Sequence, residues 1–365
     1  MRVLLISHVA PPHIGGVENL VRMEAQALCE AGHEVTWLTS DAGGEGEPVR
    51  DHERLRLLRV PAWHFLERRF GVAYPLFSPA LQWRLWREIG RSDVVHIHGL
   101  VFDASMPAAL YARLRGRRVL CTDHGGLLRY RSKLATWALR LLMETAGRIT
   151  ARCSHRLIAY NRDLEALLTR LGGSRKKVQF LPNPVDPTLF YPPRAADRVA
   201  ARAALGWDEK PRVLCVSRLL PHKGIDVLLG AQHASFEVVF CGPGDDAVRA
   251  HIRGSGAECL TPRPQEQVRQ LYHAADAFAL PSYNEGFPVA IQEALACGLP
   301  VLTSDTPSYA PYAGTPGLNL CEPTSEQVQR HLLDLLARPA EAASPPSEGC
   351  ARTRWIDELM TEGAA

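Results

Sequence analysis

The chain has 365 residues, 46% of them hydrophobic and 22% charged. That excludes wholesale disorder and provides enough apolar surface for two domain cores. The net charge of +3 conceals an asymmetry: residues 1–183 carry 27 Lys and Arg against 17 Asp and Glu, while residues 184–365 carry 15 against 22. Such a division fits two domains with different partners, or scatter over two solvated surfaces.

In chain order, Arg2 to Ser7 reads as a buried parallel strand. Its apolar run breaks at His8 and Pro11, too early for a signal sequence. A Pro- and Gly-rich turn follows, ending in Gly15-Gly16, then a helical pattern through Ala31 with Gly32 as its cap. Paired glycines let a backbone approach phosphate closely, although Gly-Gly turns are common in any case. Further strands are predicted at Val35–Thr39, Val94–His98, Val119–Thr122 and Arg156–Ala159. Pro182-Asn183-Pro184 interrupts the pattern, which restarts with strands at Val213–Ser217, Glu237–Cys241, Ala277–Leu280 and Val301–Ser304. This alternation predicts an α/β chain of two Rossmann-like parallel-sheet domains, residues 1–183 and 184–349. A closing stretch within 350–365, with Trp355, Ile356 and Leu359 as an apolar stripe, is expected to pack back on the first domain. No run of about twenty apolar residues occurs, so no membrane-spanning helix is expected. Nine cysteines without a Cys-x-x-Cys pair point to a reduced, cytoplasmic compartment.

Ligands of open α/β sheets bind beyond the carboxyl ends of the strands, and several unusual residues fall there. Ser217-Arg218-Leu219-Leu220-Pro221-His222-Lys223-Gly224 places two cations after one strand. They could neutralise a diphosphate as it leaves, without a metal, or be ordinary surface charges. Pro281 to Pro288 leads into a helix whose N–H groups, around Gly286 and Phe287, would point at an anion or a sugar hydroxyl. Glu293 sits inside that helix between Ala290 and Cys297. A carboxylate on an apolar face needs a partner, either the two hydroxyls of a ribose or a basic residue of its own domain. Asp123-His124-Gly125-Gly126 follows another strand, and His124 could donate to a hydroxyl, shuttle a proton, or be a satisfied core histidine. His96 and His98 alternate onto one strand face, but no third metal ligand is evident. Gly242-Pro243-Gly244-Asp245-Asp246-Ala247 matches the dinucleotide fingerprint loosely, without the acidic residue expected about twenty positions on. No Walker A sequence and no Asp-x-Asp pair occurs.

With these residues in view, the chain resembles the retaining glycosyltransferases of family four, which have the GT-B fold of two Rossmann-like domains facing across a cleft. The Glu285-x7-Glu293 signature inside PSYNEGFPVAIQEALACGLPV carries most of the resemblance, and SRLLPHKGID adds to it. The resemblance implies that Arg218 and Lys223 bind the donor diphosphate and that Glu285, with Gly286 and Phe287, contacts the donor sugar. It further implies that Glu293 binds the ribose, that Gly15 and Gly16 approach phosphate, and that His124 lies beside the transferred sugar. Gly242 is taken as a further donor contact. A nucleotide-diphosphate sugar is the implied co-substrate, with no metal and no cofactor, and a glycan or lipid-linked acceptor. Two departures stand out: Asp305 to Ala310 replaces a common Gly-Gly-x-x-Glu turn, and Tyr160-Asn161 replaces a usual Ser.

Acceptor signals are weaker. Residues 63–87 mix aromatics (Trp63, Phe65, Phe70, Tyr74, Phe77, Trp83, Trp86) with Arg68, Arg69, Arg84 and Arg87, and Arg129-Tyr130-Arg131-Ser132-Lys133 precedes an apolar helix. Such mixtures suit peripheral contact with an anionic membrane at its inner face, or packing inside the domain. No nucleic-acid motif is present. A sugar-nucleotide epimerase, a phosphorylase, a NAD-dependent oxidoreductase resting on Gly242–Ala247, and a non-catalytic sugar-nucleotide binder are the competing expectations.

Overall fold

The computed structural model describes residues 1–13, 16–43, 49, 52–66, 74–124, 133–283, 287–338, 356–357 and 360–361. The chain divides into two compact units: Met1–Asn183 with Trp355–Ala365, and Pro184–Arg354.

In the first unit, β1 (Arg2–Ile6), β2 (Glu34–Ser40), β3 (Leu55–Val60), β6 (Val94–His98), β7 (Arg118–Thr122), β8 (Arg156–Ala159) and β9 (Val178–Phe180) form one sheet in the order β3-β2-β1-β6-β7-β8-β9. Every pairing is parallel. β4 (Ala62–Trp63) and β5 (Leu76–Phe77) make a small antiparallel pair beside it. Alternation along β1 sends Val3 and Leu5 to one core, and Leu4 and Ile6 to the other. The first core takes α1 (Gly16–Glu30) through Val21, Ala25 and Leu28, and it also holds Leu181 and Ile356. Arg118 fixes the same returning segment by donating to the carbonyls of Met360 and Thr361, 2.7 Å each. The second core takes α2 (Ala80–Arg91), α3 (Ser105–Leu114), α5 (Arg148–Cys153) and α6 (Arg162–Gly172). A further helix, α4 (Lys133–Leu142), enters α5 through a π-helical turn at Met143–Gly147.

The second unit pairs β10 (Arg212–Val216), β11 (Glu237–Cys241), β12 (Glu258–Leu260), β13 (Ala277–Leu280), β14 (Val301–Ser304) and β15 (Leu318–Cys321) in the order β12-β11-β10-β13-β14-β15, again all parallel. Its helices are α7 (Ala195–Leu205), α8 (Ile225–Gly230), α9 (Asp246–Gly254), α10 (Gln265–Ala274), α11 (Val289–Ala296) and α12 (Ser325–Ala337). In both sheets the chain winds outward one way and then returns to the other side of its first strand. The switch points therefore lie between β1 and β6, and between β10 and β13. Loops leaving those strands are where a doubly wound sheet offers a binding site.

The strands that sequence periodicity does not mark are the two-residue β4 and β5 and, in the two large sheets, β3, β9, β12 and β15. They are short or lie at sheet edges, and their residues are mostly only partly buried, so no continuous apolar run betrays them. The aromatic segment divides: Phe77 is buried, and Tyr74 donates to the Val101 carbonyl at 2.7 Å. Trp63, Phe65, Trp83 and Trp86 are exposed. Phe70, Arg68, Arg69, Arg129–Ser132, Trp355 and Leu359 lie outside the described residues.

Candidate functional site

In the second unit, three strand-end loops are joined backbone to backbone. The Ser217 amide donates to Cys241 O at 3.1 Å and the Leu219 amide to Pro243 O at 2.7 Å. Gly242, at φ +148°, passes so close that a Cβ would stand 1.9 Å from Ser217 O. Gly224, at φ +72°, would place a Cβ 2.0 Å from Pro281 O, and the Tyr283 amide donates to His222 O at 2.9 Å. Glycine is required at both positions by space as well as by φ. The loop bearing Arg218 and Lys223 is thereby brought together with the opening residues of the loop that continues into Glu285. Asn284, Glu285 and Gly286 lie outside the described residues.

Lys223 closes a 3-10 turn at Pro221–Lys223 and is buried, whereas Arg218 is exposed. Burial, and then the Arg218 guanidinium, push the Lys223 pKa down to about 8. The site thus holds a buried cation whose charged form is disfavoured, a condition an anionic ligand relieves.

Glu293 lies on α11 and is half-buried. Its side-chain partner among the described residues is not the basic residue foreseen as one alternative. The hydroxyl of Tyr272, a fully buried residue of α10, donates to its Oε2 at 3.0 Å. Burial pushes the Glu293 pKa up to about 7, against the lowering effect of that hydrogen bond. A buried Tyr needs a polar outlet, yet nothing in the spacing from position 272 to 293 announces the pair.

Phe287 is buried, its ring stacked on Tyr312 with centroids 3.5 Å apart and set edge-on to Tyr309 at 5.8 Å. Both tyrosines belong to the 3-10 turn Pro307–Tyr312. The segment that departs from the family pattern therefore anchors the loop that carries the glutamate signature. Gly242–Ala247 does not behave as a dinucleotide loop. Asp245 accepts from the Val248 amide at 2.8 Å and caps α9 itself, which fills the anion position at that helix start.

In the first unit, Gly16 begins α1, and a Cβ there would meet nothing within 4 Å. Gly15 lies outside the described residues. Two turns into α1, Glu24 is buried, and it supplies the third group that the His-x-His pattern lacks in sequence. His96 Nδ1 stands 2.6 Å from Glu24 Oε1, and His96 Nε2 is 2.8 Å from Thr122 Oγ1. His98 Nε2 lies 3.2 Å from Glu24 Oε2, and His98 Nδ1 is 3.0 Å from His124 Nε2. Burial opposes ionisation of Glu24, but His96 and then His98 outweigh it and hold the pKa at about 2. His98 and His124 are both held below the usual histidine value, first by burial and then by neighbouring imidazoles. The carbonyl of His124 accepts from the Tyr160 hydroxyl at 2.8 Å, and Asn161 caps α6 by accepting from the Leu164 amide at 2.7 Å. Tyr160-Asn161 thus has work at the place where the family usually has Ser. Glu24 was legible by the same signal as Glu293, a carboxylate among Leu20, Val21, Ala25 and Leu28 on one helix face.

Residues 14–189 match the family described as Glycosyltransferase Family 4, and residues 197–348 match Glycosyl transferases group 1. A D-inositol 3-phosphate glycosyltransferase of Xylanimonas cellulosilytica is 32% identical, over 80% of this chain and 75% of its own length. A GDP-mannose-dependent alpha-(1-6)-phosphatidylinositol monomannoside mannosyltransferase of Mycolicibacterium smegmatis is 26% identical, over 97% and 93%. The GPI3 subunit of Saccharomyces cerevisiae phosphatidylinositol N-acetylglucosaminyltransferase is 26% identical over 80% of this chain, which spans only 65% of that relative's length. Among solved structures, the HepE protein of Anabaena, in complex with UDP and glucose, superposes with a TM-score of 0.76 at 17% identity, over 98% of this chain and 97% of the other. A sucrose-phosphate synthase from Thermosynechococcus elongatus gives 0.72 at 21% identity, over 98% and 96%. These last two speak to the fold, two parallel-sheet α/β domains of GT-B type, and the matched families and the closer relatives speak to the chemistry: the chain belongs to glycosyltransferase family 4.

Proposed function

We propose that this glycosyltransferase moves a hexose-type sugar from a nucleoside-diphosphate donor to a glycan or lipid-linked acceptor, with retention of configuration and without a metal or other cofactor. The observation that carries the reading is the buried Lys223 ammonium, held beside Arg218 on a loop locked to the Pro281–Tyr283 backbone. Two cations there would neutralise charge growing on a departing diphosphate, the office a metal ion fills elsewhere. Glu293, whose carboxylate is ionised only reluctantly, would gain two hydroxyl donors from a ribose. Glu285 and the backbone of Gly286 and Phe287 take the donor sugar in this reading, Gly242 shapes the donor loop, Gly15 and Gly16 approach phosphate, and His124 meets the transferred sugar. The second unit is the nucleotide-sugar side and the first the acceptor side.

The acceptors in the names of the relatives are phosphatidylinositol, its monomannoside and D-inositol 3-phosphate. They support a polyol acceptor on or near lipid, of the kind used in envelope polysaccharide or glycolipid synthesis. Exposed Trp63, Trp83, Trp86 and Trp137, with the Arg84 and Arg87 guanidinium groups each 5.2 Å from the Trp83 ring, support peripheral contact with the inner face of an anionic membrane. Flotation with anionic vesicles at low salt checks that contact, and protein remaining at the bottom of the gradient removes it.

The donor site is tested by thermal shift with UDP, GDP, ADP, dTDP and their sugars, with and without EDTA. One nucleotide should stabilise selectively and regardless of EDTA, by about 2.7 kcal/mol at a hundred times Kd. No shift with any of them in a folded sample refutes the donor assignment.

A further inference from the structure

Glu24, His96 and His98 are fully buried, and their ligand atoms lie within 4.8 Å of one another, close enough to suggest a metal ion. The spacing favours a proton instead. Two ligands of one tetrahedral zinc, each bound at 2.0–2.2 Å, stand about 3.3 Å apart, whereas His96 Nδ1 and Glu24 Oε1 are 2.6 Å apart. That is the length of a charge-assisted hydrogen bond.

Proton positions then follow in sequence. Glu24 Oε2 and His98 Nε2 are buried, have no well-aligned hydrogen bond among the described residues, and face each other at 3.2 Å. A carboxylate oxygen can only accept, so a bare nitrogen lone pair against it would leave two buried acceptors opposed. His98 Nε2 must carry the proton. A neutral His98 then has a bare Nδ1, and the group 3.0 Å from it, His124 Nε2, must donate. A neutral His124 protonated at Nε2 has Nδ1 as its acceptor. On the other branch, the Thr122 hydroxyl donates to His96 Nε2 while His96 Nδ1 donates to Glu24. Every donor and acceptor in the chain is matched once.

We infer that Glu24, acting through His98, is a positioning residue that fixes His124 as the Nε2–H tautomer and leaves Nδ1 to accept a hydrogen bond from a hydroxyl of the transferred sugar. This rests on the reading that His124 meets that sugar. The charged and titratable groups facing His124 among the described residues include His98, His96, His8, Glu24 and Tyr160, and burial and then each of those histidines oppose a second proton on the ring. A carboxylate two groups away thus determines which kind of sugar contact the histidine can make. The logic matches a catalytic triad, where a lost carboxylate gives the wrong tautomer.

The test reads the tautomer directly. The full chain is labelled with ¹⁵N-histidine, and the His124 ring is assigned by its loss in His124→Gln. Long-range ¹H–¹⁵N spectra between pH 6.5 and 8 should show a bare Nδ1 and a protonated Nε2. In Glu24→Gln the carboxamide offers one acceptor and one donor, so its NH₂ can face His98 and reverse both rings. His124 should lose its single tautomer, and kcat should fall at least about tenfold with little change in donor Kd, a milder version of the triad effect. His124 protonated at Nδ1 in the wild type, or an unchanged His124 spectrum in Glu24→Gln, overturns the inference. So does one equivalent of zinc retained through purification and stripped by EDTA with loss of stability. The wild-type spectrum decides even if Glu24→Gln does not fold. Normal turnover by His124→Ala removes His124 from the sugar site and leaves the tautomer result standing, so the two failures are separable.

Discussion

Replacing Lys223 with Met keeps the length of the side chain and removes a charge that the fold tolerates at a disadvantage. In the folded protein the ammonium titrates at about 8 instead of 10.5, through burial and then Arg218. Each pKa unit is worth about 1.4 kcal/mol, so the charged form opposes folding by about 3 kcal/mol. For a base whose folded pKa is depressed, that opposition is complete below pH 8, shrinks between pH 8 and 10.5, and is absent above 10.5. Lys223→Met should therefore raise the stability of the free protein at pH 7 by about 1–3 kcal/mol, the lower figure allowing for hydrogen bonding that leaves with the ammonium. The gain should fade as the pH approaches 10. Urea unfolding at pH 7, 8, 9 and 10, without nucleotide, measures it. Turnover should fall by about two to three orders of magnitude, the loss expected when a donor to developing charge is removed. A variant less stable than wild type at pH 7, or a difference indifferent to pH, refutes the view that Lys223 is held charged against the fold for the sake of a ligand.

Glu293→Gln should behave with the opposite pH sign. The folded pKa is raised to about 7 from 4.5, so the charged carboxylate opposes folding above pH 7 and not below 4.5. The variant should be more stable than wild type by up to about 3 kcal/mol at pH 8, should match it at pH 4.5, and should bind nucleotide about tenfold more weakly by calorimetry. Arg218→Ala should lower kcat about two to three orders of magnitude, with thermal stability within about 0.5 kcal/mol of wild type because the residue is exposed. Gly224→Ala should destabilise by at least about 2 kcal/mol, since the new Cβ would stand 2.0 Å from Pro281 O at a positive φ; a midpoint unchanged in urea contradicts the assigned contact.

The central strands of both sheets could be read from sequence because they are buried on both faces and spell largely apolar runs, as Val3–Ile6 and Ala277–Leu280 do. The edge strands could not, since Val178–Phe180 and Leu318–Cys321 are half-solvated and short. Among site residues, Arg218, Lys223, His124 and Glu293 stand out as polar groups at strand ends or inside apolar helices. Glu24 carries the same signal, but its link to His96 spans 72 positions, and no local spacing connects the two. Tyr272 and the Tyr309–Tyr312 platform under Phe287 have no sequence mark at all, because a buried aromatic looks like core until its partner is known.

The backbone crossings at Gly224 and Gly242 bear on how donor preference could be re-engineered. Neither position has room for a Cβ, and Gly244 would meet Leu219 Cβ at 2.6 Å, so these three sites are closed to variation whatever sugar nucleotide is selected. The 3-10 turn at Pro307–Tyr312, in contrast, departs from the family pattern and meets Phe287 through the rings of Tyr309 and Tyr312. A mutational library that holds the three glycines and diversifies residues 305–312 would vary the support under Phe287 while leaving the loop that bears Arg218 and Lys223 in place.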